Sequence, residues 1–159
     1  MLNFIDGGVC AAQGFRAAGV HVGVKTHAAW KKDVALIVSD VDCAAAVFTK
    51  NVVKAAPIRV DLQHLADGRA RAVIANSGNA NACAPEGEEN AERMCAAAAK
   101  AIGCKPEDVL VSSTGVIGQR INVEAIEEHV PALYAALERS AEAMQNLDFF
   151  SDIRSVRKS

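Results

Sequence analysis

An α/β fold is predicted by three short apolar runs and one amphipathic stretch that alternate along the chain. Val34-Ala35-Leu36-Ile37-Val38-Ser39, Arg71-Ala72-Val73-Ile74-Ala75 and Asp108-Val109-Leu110-Val111-Ser112 are continuous, β-branched and bounded by charge, the pattern of strands buried on both faces. Between the last two, Ala91, Met94, Cys95, Ala98, Ala99 and Ile102 recur every three or four residues beside Glu89, Glu92, Arg93 and Lys100. The 159 residues, 51% of them hydrophobic, suit one domain able to bury a core without disulfide or metal staples.

Each element has its own warrant. The helix over Glu88–Ile102 should stop at Gly103, suited to a left-handed cap, with Pro106 just beyond to prevent resumption. A second helix should start near Asn122, a capping residue ahead of Glu124, break near Pro131 and resume over Ala132–Met144. Its charges, Glu127, Glu128, Glu138, Arg139 and Glu142, fit a solvated face. Gly7-Gly8, Gly14, Gly19 and Gly23 among small apolar residues predict a twisted strand pair with tight turns in the first 30 residues.

Charge and motif content narrow the function classes. A net charge of -2 with interspersed signs provides no basic tract for nucleic acid or an anionic membrane. The amino terminus has no basic flank and apolar stretch of the signal-peptide kind, and no apolar run approaches the roughly 20 residues that cross a bilayer, so a cytoplasmic protein is expected. Cys10, Cys43, Cys83, Cys95 and Cys104 form no C-x-x-C pair and are expected as free thiols. His21, His27, His64 and His129 have no metal-ligand spacing, so no metal is expected.

Two segments depart from an ordinary polar loop after a buried strand. Asn76-Ser77-Gly78-Asn79-Ala80-Asn81 can form a tight, ordered turn, or can line a pocket for a carboxylate with its amides and backbone N–H groups. Ser112-Ser113-Thr114-Gly115-Val116-Ile117-Gly118 reads either as a hydroxyl-rich turn with a glycine bulge or as an oxyanion hole. In the second reading Gly115 admits a ligand close to the main chain, and a neighbouring hydroxyl donates to developing negative charge. Cys83, beside the asparagine segment, is the one thiol worth weighing as a nucleophile; its ordinary reading is a small buried thiol.

Six segments in fixed order carry a family resemblance: Gly14-Phe15-Arg16-Ala17-Ala18-Gly19-Val20, residues 32–40, Ala46-Val47-Phe48-Thr49, Val53-Lys54-Ala55-Ala56-Pro57, residues 76–81 and residues 113–118. Over roughly residues 7–144 the chain resembles the amino-terminal half of glutamate N-acetyltransferases, also called ornithine acetyltransferases. The resemblance implies a four-layer αββα core like that of N-terminal-nucleophile hydrolases, of which this chain would form the N-terminal half. It implies acetyl transfer from N-acetylornithine to glutamate in arginine biosynthesis, with acetyl-CoA as a further donor in some members and no resident cofactor. It also implies a precursor that cuts itself before an internal threonine, whose hydroxyl becomes the nucleophile and whose α-amine serves as base. Thr114 and Gly115 match the oxyanion pair. The two halves of such proteins interlock and associate further, so a C-terminal half and an oligomer are the expected partners.

The resemblance divides the chain into an acetyltransferase-like region, 1–144, and a divergent tail, 145–159. Where the family carries Thr-Thr-Asp-Thr, Lys-Gly and Ala-Thr segments, the tail reads Gln145-Asn146-Leu147-Asp148-Phe149-Phe150-Ser151-Asp152 and onward. A truncated or frame-shifted gene, or a short paralogue, would account for this, and the chain alone is expected to lack the threonine nucleophile. A non-catalytic binding or assembly module is the alternative.

Overall fold

A computed structural model describes residues 8–24 and 31–139. Four strands, β1 (Phe15–Val20), β2 (Val34–Ser39), β3 (Ala72–Asn79) and β4 (Val109–Val116), form one sheet in the order β1-β2-β3-β4. The first two pairings are antiparallel and the last is parallel. Three helices accompany them: α1 (Ala56–His64), α2 (Gly87–Ile102) and α3 (Val123–Ala135).

The parallel β3–β4 pair requires a crossover, and α2 supplies it. Its inward stripe of Ala91, Met94, Cys95, Ala98 and Ala99 is buried, the alanines allowing the helix axis to approach the sheet closely. From the sheet, Val34, Leu36, Val38, Ile74, Val109 and Val111 join the same core; α3 adds Ile126, Val130 and Leu133. Gly103 ends α2 in the left-handed conformation, φ 84°, as its position predicts.

The opposite face carries Ile37, Val73 and Leu110, all half-buried, because side chains alternate along each strand. A cavity of about 300 Å³ lies on this side, lined in part by Phe15, Ile37, Val73 and Leu110. One helix layer and one sheet are therefore present among the described residues, two of the four layers implied by the resemblance. No helix among these residues is long and apolar enough to cross a membrane.

Several expectations are corrected. The strand pair foreseen within the first 30 residues is instead β1 against β2, with Phe15 opposite Ser39 and Val20 opposite Val34. Pro131 does not break α3, which runs through it and stops at Ala135. The proline lies on the exposed side, so only one backbone bond is given up while Val130 and Leu133 stay buried. Beyond the helix, Glu138 exchanges two backbone bonds with Ala17, N–H to carbonyl distances 3.0 and 3.2 Å, which pulls the chain back along the edge of β1. The remainder of the expected helix, 140–144, and the tail 145–159 lie outside the described residues. Finally, α1 was not foreseen, and β3 and β4 each run four residues past their expected ends, to Asn79 and Val116.

Candidate functional site

The carboxyl ends of two adjacent parallel strands bring the two unusual segments side by side. Asn76 pairs with Ser113, Ser77 with Thr114 and Gly78 with Gly115, before the register slips at Asn79, which faces both Thr114 and Val116. In open sheets with helical crossovers, ligands bind at this end of the strands.

Gly115 is fixed by sterics. Its φ is +134°, and a Cβ built on it would lie 2.3 Å from the carbonyl carbon of Gly78 and 2.5 Å from the nitrogen of Asn79. Any side chain would drive β3 and β4 apart. The glycine is exposed and Thr114 partly exposed. Alternation places the Thr114 side chain on the face of Leu110 and Ser112, away from the helices.

The asparagines support this junction from within. Asn76, Asn79 and Asn81 are buried, and each spends its amide N–H on a backbone carbonyl: Asn76 on Asn79 at 2.9 Å, Asn79 on Gln119 at 3.0 Å, Asn81 on Gly87 at 2.8 Å. Asn79 Oδ1 also accepts from the Asn81 N–H at 2.7 Å, in a turn where Asn81 has φ 46°. Backbone bonds from Ala80 to the Val116 carbonyl and from Gly118 to that of Ala82, both 2.9 Å, bind the two segments into one loop cluster. The asparagines thus order the carboxyl end of β3 and the turn that follows it at Asn79–Asn81.

The loop leaving β4 is anchored by charge. Arg120 donates to Glu86 at 2.8 Å and to Glu124 at 2.8 Å, and Arg93 on α2 donates to Glu124 and Glu127. The guanidinium of Arg120, with help from Arg93, holds the Glu124 carboxyl well below the usual carboxylate range. Arg120, Glu86 and Glu124 are exposed and Arg93 and Glu127 half-buried, so the network serves geometry more than stability.

Sequence reasoning missed a second polar set on the outer edge of β4. Asp61 and His64, one turn apart on α1, contact the strand backbone: the Val111 N–H donates to Asp61 Oδ1 at 2.8 Å, and His64 Nδ1 lies 2.8 Å from the Val109 carbonyl. Burial pushes the Asp61 carboxyl up to about 6, against the opposing pull of the Val111 N–H and His64. A cavity of about 340 Å³ adjoins it, lined in part by Phe48, Thr49, Asp61, Ser112 and Ser113. The usable signal was Pro57 opening a stretch with Val60 and His64 at helical spacing.

Cys83 is exposed with φ 49°, contrary to the expected buried thiol, and lines a pocket of about 200 Å³ with Lys54, Arg59 and Asn81. It is not among the groups gathered at Thr114. Cys95, by contrast, is fully buried, and desolvation pushes its thiol far up, so it stays protonated.

Comparison with known proteins gives concordant matches. A model of the ArgJ family matches residues 16–158, continuing past residue 144, where the sequence pattern was read as diverging. The chain is similar to the arginine biosynthesis bifunctional protein ArgJ of Symbiobacterium thermophilum, with 44% identity across 98% of this chain and 40% of that protein. It is 41% identical to a glutamate N-acetyltransferase of Methanothermobacter thermautotrophicus, across 94% of this chain and 37% of that one. Its structure resembles that of the ornithine acetyltransferase of Mycobacterium tuberculosis solved in complex with ornithine, with TM-score 0.81 and 36% identity over 89% of this chain and 77% of that chain. The chain therefore spans about two fifths of the curated relatives but about three quarters of the solved chain, which is itself roughly half as long as those relatives.

Proposed function

The chain belongs to the ArgJ family, and from that premise we propose that it supplies the oxyanion-stabilising part of an acetyl transfer from N-acetylornithine to glutamate in arginine biosynthesis. The observation that carries this reading is the Thr114–Gly115 pair at the open ends of two parallel strands, where only glycine fits against Gly78. That close approach holds the backbone beside Thr114 in one conformation before any substrate arrives, and preorganisation of this kind is what stabilises a developing charge.

In this reading the nucleophile is a threonine freed by self-cleavage in the part of the relatives that this chain does not span. Its hydroxyl oxygen attacks the acetyl carbonyl of N-acetylornithine, with the threonine's own α-amine taking the proton. The C–N bond to ornithine breaks, the amine leaves with that proton, and the acetyl group rests on threonine as an ester. The glutamate amine then attacks the ester carbonyl, the threonine hydroxyl is restored and N-acetylglutamate departs. Acetyl-CoA fits the same scheme as a donor whose thiolate leaves instead of an amine. Both tetrahedral intermediates place negative charge on the former carbonyl oxygen, and the Thr114 hydroxyl with the adjacent main chain receives it. Loss of one such donor typically costs about 3–4 kcal/mol of transition-state stabilisation.

The half-covered sheet face around Ile37, Val73 and Leu110 supports the accompanying reading that this chain assembles with a C-terminal half and acts only in that complex, which we place in the cytoplasm as part of the same proposal. The test is acetyl transfer by the purified chain, alone and mixed with a separately expressed second half of a close relative. Transfer only after mixing, lost in Thr114→Ala, is the expected result. Transfer by the chain alone would refute the division of labour; association without transfer would leave an assembly module and refute the catalytic reading.

A further inference from the structure

Among the described residues β4 is the edge strand of the sheet, bonded to β3 on one side. Its outer side would ordinarily be left to water, yet two polar side chains from α1 occupy it. Asp61 accepts the Val111 N–H at 2.8 Å, and His64 Nδ1 meets the Val109 carbonyl at 2.8 Å. An i, i+3 pair on a helix thus takes the place of a neighbouring strand. A carbonyl cannot donate, so His64 must carry its proton at Nδ1. Its other nitrogen lies 3.2 Å from Glu92 Oε2 on α2. The His64 side chain is 4% exposed, and its place is set by all three elements at once: α1, α2 and β4.

Thr114 follows Val111 by three residues on the same strand. We propose that Asp61 and His64 are positioning residues, a clamp on the outer edge of β4 that sets the main chain of Thr114 and Gly115. The assignment rests on the reading of those two residues as the oxyanion pair, but the clamp itself is a property of the fold. A rigid strand held from both sides transmits a change at Val111 to its carboxyl end; a strand held only by β3 is free to absorb it.

The clamp carries its own reporter. Asp61 loses its charge when protonated, and a hydrogen bond to a neutral carboxyl is about half as strong as one to a carboxylate. The titratable groups near Asp61 are His64 on its own helix and Glu92 and Cys95 on α2; the residues 47–49 that share its cavity carry no charge. The Asp61 carboxyl is pushed up to about 6, in a window where the Cys95 thiol, pushed far up by burial, stays protonated.

The experiment is an amide NMR titration of the intact 159-residue chain from pH 4.5 to 7.5. The expected result is that the Val111 amide shifts with a midpoint near 6 and that the Thr114 and Gly115 amides shift with the same midpoint. Asp61→Asn should abolish the shared transition, while Asp61→Glu should retain one. Movement of Val111 with Thr114 and Gly115 unmoved would overturn the proposal, as would an unmoved Val111. Asp61→Glu, which keeps a carboxyl, and Asp61→Asn, which removes it, assign the transition to Asp61 rather than to the neighbouring His64, and either variant alone suffices where the other fails to fold. The readout is independent of acetyl transfer, so a coupled transition in a chain that still gives no transfer once assembled with the second half would sink the catalytic reading and leave the clamp standing.

Discussion

Replacing Gly115 with alanine would place a methyl group 2.3 Å from the Gly78 carbonyl carbon at a φ of +134°. Neither neighbour is a flexible side-chain tip, so the β3–β4 junction itself must move. Gly115→Ala is predicted to destabilise the chain by on the order of 3 kcal/mol, read as a lower urea midpoint; an unchanged midpoint would show that the junction is not as tight as described. Thr114 makes the opposite kind of prediction. It is partly exposed and contributes little packing, so Thr114→Ala should leave the urea midpoint nearly unchanged while lowering acetyl transfer in the complemented enzyme by roughly 10²–10³-fold. Thr114→Ser, which keeps the hydroxyl, should retain most of the rate. That residues 112–118 depart from an ordinary polar loop was legible in the sequence, but spacing left a glycine-bulged turn and an oxyanion site both open at Thr114 and Gly115. What was not legible was that the three asparagines face inward. Their amides could have pointed either way until the neighbouring carbonyls of Asn79, Gln119 and Gly87 were placed.

At the scale of elements, the central strands and α2 were readable because burial leaves a plain record: continuous β-branched runs for the strands, and an alanine-rich three-four stripe ended by Gly103 for the helix. Met94 is the largest side chain in that stripe and is fully buried, so Met94→Ala is predicted to cost about 2–5 kcal/mol, measurable by chemical denaturation. The helix α1 escaped notice for a physical reason. Asp61 and His64, which should mark a solvent face, turn inward to the backbone of β4, and the apolar stripe is reduced to Pro57 and Val60. Strand ends were underestimated because asparagine, serine and glycine have low strand propensity, and only the partner strand shows that the ladder continues. The same Asp61 gives a pH prediction. The unfolded chain releases its proton near 3.8, whereas the folded chain holds it to about 6. The folded state therefore binds more protons between those values, and stability is lost as pH rises through that window. Urea midpoints at pH 4, 5, 6 and 7 should show wild type losing stability relative to Asp61→Asn across the interval; parallel curves would contradict the assignment.

For the molecule as a whole, one sheet with helices on a single face among the described residues explains why the chain can form a core and still present a half-covered apolar surface. The core of α2 against β3 and β4 is complete within these residues, while Ile37, Val73 and Leu110 on the opposite face are only half-buried. The sequence pattern alone could not reveal this, since a strand buried on both faces and one awaiting a partner layer carry the same apolar run. The chain's span of about two fifths of its curated relatives agrees with a surface that other parts of the family polypeptide would cover. The proposed function divides in the same way, with the oxyanion site proposed here and the nucleophile elsewhere.

The most direct test of that division is N-acetylornithine-dependent acetylation of glutamate by this chain mixed with the separately expressed C-terminal half of a close relative. The account predicts no transfer by either part alone, transfer by the mixture, and loss of that transfer with Thr114→Ala in a complex that still assembles. Undiminished transfer by the Thr114→Ala complex would contradict it.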